Sequence, residues 1–246
     1  MKLSKIIIAL FFAASVTLII GVLDDKYDLS PYLRFVMNIC TAIFVVYMGT
    51  NIPFITNPFG GILYLNNFQI PFWQGNPITF LSDAVAVLWI VWVMNMLNWS
   101  KGVDGQMPGI VAISAVIIGI LSLRFTPLDE ASATAATLSF IIAGASLGFL
   151  VFNFYPAKIF PGYGATAIYL LLAVASILSS AKLATAILVM GVPMTDGLFT
   201  IIRRIASGKS PFWHDKKHLH HLLLGLGLSQ RKVALFYWIV SAILGS

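Results

Sequence analysis

Between Ile6 and Leu23 the chain runs for 18 residues without a charged side chain, and two adjacent carboxylates, Asp24 and Asp25, follow at once. No other stretch constrains the fold as tightly. A helix crosses the hydrocarbon of a bilayer with roughly 20 apolar residues. Lipid offers the backbone no hydrogen-bond partners, so such a run must be helical. Carboxylates at the mouth of a span are costly to place and mark function. Seven further apolar stretches follow, giving eight in all at about 4–23, 32–50, 83–99, 107–124, 131–151, 165–181, 183–200 and 232–246. The chain is 59% hydrophobic and only 10% charged, where a soluble domain carries about 25% charged residues. The expected fold is all-α, a polytopic transmembrane bundle of about eight helices forming one domain over residues 1–246. The single cysteine, Cys40, excludes a disulfide framework.

Eight spans put loops 24–31, 100–106, 152–164 and 201–231 on one face of the membrane. The N-terminus and loops 51–82, 125–130 and 181–182 fall on the other. The first face carries 11 of the 15 basic residues, so it is expected to face the cytoplasm across the inner (plasma) membrane. Lys2 and Lys5 fall on the opposite side, which predicts that the chain begins in mid-fold with further helices upstream. The first run lacks the small-x-small cleavage site of a secretory signal and is read as a span. The net charge of +6 fits the positive-inside bias and phosphate or anionic-lipid partners, with no nucleic acid. In the outer loop, Ile62–Ile70 is expected to form a small hairpin turning at Asn66-Asn67.

Four loops on the first face hold almost all the unusual polarity. Asp24, Asp25 and Asp28 suit a metal or phosphate site, beside the plain alternative of a solvated loop in which Ser30 and Pro31 cap the next helix. In the second loop, Asn95 and Asn98 share a helix face, Lys101 follows, and Asp104 sits between Gly102 and Gly105, which permit a tight backbone. The third runs from Asn153 through Lys158, a point charge suited to phosphate, to Phe160 and Tyr163, either of which could stack on a base. The fourth carries Arg203, Arg204 and all four histidines of the chain within eight residues, His214 to His221. Histidines so close could bind metal. Basic neighbours favour phosphate, and an interfacial amphipathic segment is the structural alternative. Together these groups predict phosphate chemistry at the inner membrane surface.

At these loops the chain resembles the polyprenyl-phosphate N-acetylhexosamine-1-phosphate transferases. The resemblance rests on Gly21-x-x-Asp24-Asp25, Asn95-x-x-Asn98 with Gly102-x-Asp104-Gly105, Asn153-x-x-Pro156-Ala-Lys-x-Phe160, and Val192-Pro193-x-x-Asp196 leading to Arg203-Arg204 and His218-x-His220-His221. The His-x-His-His form is closer to the branch using UDP-N-acetylglucosamine-type donors than to the phospho-MurNAc-pentapeptide branch. The resemblance implies that a polyprenyl phosphate such as undecaprenyl phosphate attacks the β-phosphorus of a UDP-activated amino sugar. Sugar-1-phosphate then passes to the lipid and UMP leaves, as in cell-wall and other polysaccharide biogenesis. It implies magnesium balancing the diphosphate charge, and a homodimer as a further partner. By the same resemblance Asp24, Asp25, Asp104, His218, His220 and His221 are catalytic, with Asp24, Asp25 and Asp104 the metal ligands. Asn98, Asn153, Phe160 and Arg203 bind substrate by the same resemblance, Phe160 against uracil, and Asn95, Lys101, Lys158 and Arg204 are expected to join them as substrate-binding residues.

Two positions depart from the family pattern. Lys101 stands where the family's second motif has an Asp, and Tyr163 where its third has another. The site changes by three positive charges, so Lys101 is expected to neutralise diphosphate directly and the magnesium site to be weakened or altered. The departures leave open a catalytically inactive relative that binds lipid phosphate or nucleotide. A membrane transporter is the reading from another class, disfavoured because the acidic residues lie near span ends and no repeat is visible.

Overall fold

A computed structural model describes residues 2–57, 60–67, 69, 79–124, 129–179, 183–213, 215 and 217–246. All eight apolar stretches become helical. Among the described residues the helices are α1 (Lys2–Tyr27), α2 (Pro31–Tyr47), α3 (Phe80–Trp99), α4 (Gln106–Leu123), α5 (Glu130–Asn153), α6 (Thr166–Leu178), α7 (Leu183–Val189), α8 (Gly191–Ala206), α9 (Leu219–Gly225) and α10 (Gln230–Gly245). α1, α3, α4 and α5 are each long and apolar enough to cross a membrane, while α2 and α6 are shorter apolar helices. The protein is an all-α polytopic membrane protein.

Lipid gives packed helices no hydrophobic drive to associate, so contact depends on small residues that let backbones approach. α4 and α5 form the most extensive pair, and both bury small residues: Ala112, Ser114 and Ala115 on α4, and Ala135, Ala136, Ser139 and Ala143 on α5. α3 packs on α6 with Ile90, Met94, Leu97, Leu170 and Leu172 fully enclosed. There the Trp89 indole N–H donates to Ser176 Oγ at 2.9 Å. The Ser122 and Ser179 hydroxyls meet at 2.8 Å between α4 and the end of α6.

Two expectations are corrected. The stretch 183–200 is two helices, α7 and α8, bent by 79° at Met190. Pro193 has no N–H for the Val189 carbonyl and its ring crowds that oxygen, which ends α7 there. The outer hairpin also turns elsewhere. β1 (Phe54–Thr56) pairs antiparallel with β2 (Ile62–Tyr64), Ile55 opposite Leu63. The turn falls before Ile62, where Gly60 and Gly61 take φ of +108° and +85°, and Asn66-Asn67 lies beyond the ladder. Phe68 and Ile70, at the end of the expected hairpin, lie outside the described residues.

Candidate active site

The site is built from the helix ends at one pole of the bundle. α1 runs four residues past the expected end of the first span at Leu23, so Asp24 and Asp25 sit on its last turn. Carboxylates at a helix C-terminus oppose its dipole, and three contacts offset this. Arg34 Nη1 donates to Asp24 Oδ2 at 3.2 Å, the Leu29 N–H donates to Asp24 Oδ1 at 3.1 Å, and the Tyr163 N–H donates to Asp25 Oδ1 at 3.0 Å. Ser30 caps α2 as expected, its Oγ accepting from the Leu33 N–H at 3.2 Å.

Asn95 and Asn98 lie on the last turns of α3, each tied to its own helix by a side-chain bond to the carbonyl four residues back. Asn98 Nδ2 also donates to Thr166 Oγ1 at 2.6 Å, joining α3 to α6. The chain then turns through Lys101 and Gly102. Gly105 caps α4 at φ +76°, where L side chains are strained. A Cβ at Gly102 would run into the His220 imidazole, so glycine is what lets the histidine segment close over this loop.

That segment is held from α8. Asp196 Oδ2 contacts His218 Nδ1 at 2.8 Å, and Asp196 Oδ1 accepts from the Leu219 N–H at 2.7 Å. The carboxylate therefore fixes the His218 ring and caps α9 together. The His218 and His220 rings stack with centroids 5.6 Å apart, and His221 lies against His220 at 4.3 Å. Burial is the first cause that holds the His220 pKa down at about 4, with the neighbouring His221 and His218 adding to it. His220 is thus a neutral imidazole at physiological pH. Asp215 bridges Arg203 at 2.7 Å and Arg204 at 2.9 Å. Burial alone would raise its carboxyl, but the hydrogen bonds from Arg204 and Arg203 outweigh that and hold it at about 2. Phe212 packs on Tyr32 and Phe35 of α2 at centroid distances of 5.2 and 4.9 Å, closing the rim.

The result is a cleft of about 430 Å³ lined by Arg34, Asn95, Asn98, Lys101, Tyr163, Arg204, His218, His220 and His221, among others. Beside it runs an apolar groove of about 340 Å³ between α2, α3 and α8, sharing Asn95, Trp99 and Phe212 with the cleft. A polar, cationic chamber thus opens onto a lipophilic track.

Of the sequence-predicted residues, Asn95, Asn98, Lys101, Arg204, His218, His220 and His221 come together in the cleft. Asp24 and Asp25 stand at its edge through Arg34 and Tyr163. Several others do not join them. Asp104 Oδ2 accepts from the Ala157 N–H at 2.9 Å, and Asn153 bridges the Gly105 N–H and the Ile159 carbonyl at 3.0 and 2.8 Å. Both tie the second loop to the third and are absent from the cleft lining. Lys158 is exposed. Phe160 lines an apolar cavity between α1, α4, α5 and α6 and is absent from the cleft lining. Arg203 acts through Asp215 and the Lys217 carbonyl. His214 and Lys216 lie outside the described residues. Sequence reasoning passed over Arg34, Asp196 and Asp215 as site residues. Arg34 had a signal, as the one charged side chain in the run 32–47.

The metal expectation can be tested on the donor set. Among the described residues no three His, Cys, Asp or Glu side chains gather closely enough to hold a metal ion. Asp24 is committed to Arg34, and Asp104 turns toward Ala157. Among the described residues, Asp24, Asp25 and Asp104 do not form the expected magnesium site.

The chain that places these groups is similar to known proteins. The sequence pattern of glycosyl transferase family 4 matches residues 7–180. A Bacillus subtilis protein named "Probable undecaprenyl-phosphate N-acetylglucosaminyl 1-phosphate transferase" is 32% identical over 96% of this chain. Decaprenyl-phosphate N-acetylglucosaminephosphotransferases of Mycobacterium leprae and Mycobacterium tuberculosis are 32% and 34% identical over 94% of it. The chain spans 63%, 60% and 60% of the lengths of these three relatives. With three of its four polar loops inside the matched pattern and the whole cleft inside the span shared with these relatives, the chain belongs to glycosyl transferase family 4.

Proposed function

We propose that the chain transfers N-acetylhexosamine-1-phosphate from a UDP-sugar to a polyprenyl phosphate at the cytoplasmic face of the inner membrane. The observation that carries this is the cationic cleft opening onto the apolar groove, since one site must hold a soluble diphosphate and a lipid phosphate together. The relatives' names supply the acceptor and the sugar class.

In this mechanism the prenyl chain lies in the α2–α3–α8 groove with its phosphate at the shared Asn95–Trp99–Phe212 edge. An oxygen of that phosphate attacks the β-phosphorus of the UDP-sugar. The bond from the β-phosphorus to the oxygen bridging it to the α-phosphorus breaks, and UMP departs with that oxygen and the electron pair. A phosphate monoester at neutral pH already carries a nucleophilic oxygen, so the protein's task is positioning and charge stabilisation. Arg34, Lys101 and Arg204 supply fixed positive charge, and His218, oriented by Asp196, presents its other ring nitrogen as a hydrogen-bonding group for phosphate. Tyr163 and Gly102 shape the wall.

The test is UMP release from UDP-N-acetylglucosamine by the purified chain in detergent, with and without undecaprenyl phosphate. Release that requires the lipid supports the transferase. Nucleotide binding with no release under any condition overturns it.

A further inference from the structure

Resting on the transferase reading, we infer that Lys101 is the cleft's built-in countercharge, so that its ammonium binds and neutralises a nucleoside diphosphate without a divalent cation. Three observations carry this, and the first is the charge of the lining. Arg34, Lys101 and Arg204 line it beside one carboxylate, Asp215. Arg34 is ion-paired with Asp24 and Asp28, and Arg204 with Asp215, which leaves Lys101 as the lining lysine or arginine outside the ion pairs of the described residues.

The second is the state of the carboxylates that a divalent ion would need. Asp24 already accepts from Arg34 and from the Leu29 N–H. One oxygen of Asp25 accepts from the Tyr163 N–H, and the carboxylate lies against Gly162. Asp104 points into the loop beyond the cleft. A magnesium ion keeps octahedral oxygen ligands and gives up water reluctantly. To take Asp24 as a ligand it would have to displace a guanidinium, and at Asp25 it would settle near an ammonium of like sign.

The third is Lys101 itself. Among the described residues no carboxylate lies within ion-pair distance of it. Burial pushes its pKa down, while Asp25 and Asp24 pull it partway back. Its Nζ lies 6.0 Å from the centroid of the Tyr163 ring, and Arg34 Cζ lies 5.5 Å from the same ring. The Tyr163 hydroxyl is committed to Asn38 Oδ1 at 3.2 Å. A neutral ring thus lies within reach of both cations. A desolvated ammonium with three donors and no carboxylate partner is built to receive phosphate oxygens, and as a compact charge it needs no bidentate geometry. No proton moves in this role: Lys101 donates hydrogen bonds to non-bridging oxygens as negative charge develops on the leaving UMP.

The experiment measures UDP binding by calorimetry to the detergent-purified protein, once in EDTA and once in magnesium. The wild type is expected to bind in EDTA within about threefold of its affinity in magnesium. Lys101→Met is expected to lose about tenfold or more in both buffers. Lys101→Asp combined with Tyr163→Asp is expected to lose binding in EDTA and regain it with magnesium. Each variant is first shown to melt cooperatively near the wild type, and Lys101→Arg, which keeps the charge, restores most of the binding. Wild-type binding that vanishes in EDTA, Lys101→Met binding that is unchanged, or no UDP binding in either buffer overturns the inference. Metal-free UDP binding that depends on Lys101 while no sugar phosphate reaches the lipid sinks the transferase reading and leaves this inference standing.

Discussion

Replacing Asp215 by alanine should loosen the rim of the cleft by an amount the geometry fixes within a factor of two. Its carboxylate takes one N–H from each of two guanidiniums, at 2.7 and 2.9 Å, and is 16% exposed. Its pKa falls from 3.8 to about 2. That fall corresponds to about 2.4 kcal/mol of preference for the charged form in the folded state. The open rim lets water and salt reduce this contribution. Against that, Arg204 is only 6% exposed, and stranding a buried cation costs about 3–5 kcal/mol, whereas Arg203 can rehydrate at little cost. The two estimates bracket about 2–4 kcal/mol. At roughly 2–4 °C per kcal/mol for a chain of this size, the midpoint should fall by about 4–16 °C. The assay is a tryptophan-fluorescence melt in detergent, with Asp215→Asn beside it as the milder change. UDP binding should weaken too, because Arg204 lines the cleft. A shift below about 1 °C would refute the reasoning, since an ion pair open to solvent behaves that way.

Three further outcomes follow from the same contacts. Asp196→Asn keeps a carbonyl for the Leu219 N–H but offers an amide to His218 Nδ1, forcing the opposite tautomer. Lipid-dependent turnover should fall at least about tenfold, with UDP affinity changed far less. His220 titrates at about 4 in the folded chain against an ordinary 6.5, so its contribution is complete above 6.5 and is lost as pH falls toward 4. Lowering pH from 7 to 5 should cost the wild type about 2 kcal/mol more than His220→Gln, seen as a steeper loss of melting temperature. Gly102→Ala drives a Cβ into the His220 ring and should cost about 1–3 kcal/mol and most of the UDP affinity, read by melting and calorimetry together.

Much of this was legible because the membrane leaves few choices. The uncharged run Ile6–Leu23 had to be a helix, and the carboxylates after it had to sit at a pole of the bundle. The bend at Met190 was less legible, because a proline such as Pro193 can either kink a span or end it, and neighbouring helices decide. The hairpin misled because Asn66-Asn67 and the glycines at 60 and 61 are both turn signals, and pairing with Phe54–Thr56 selected the second. Within the site, residue type and motif order found the histidines, Lys101 and the asparagine pair. They could not separate a carboxylate that faces a ligand from one that satisfies a backbone N–H, which is why Asp104 and Asn153 were expected in the cleft and instead brace its loops. Asp196, read only as a motif position, proves to be the residue that orients His218.

The most direct test of the central claim is to supply UDP-N-acetylglucosamine radiolabelled in its β-phosphate, with undecaprenyl phosphate, to the purified chain and then separate lipid from water. The account predicts label in the lipid fraction and unlabelled UMP in the water, because the bond from the β-phosphorus to the bridging oxygen is the one that breaks. Label remaining in the water as UDP, with only sugar on the lipid, or label remaining in intact donor, would contradict it.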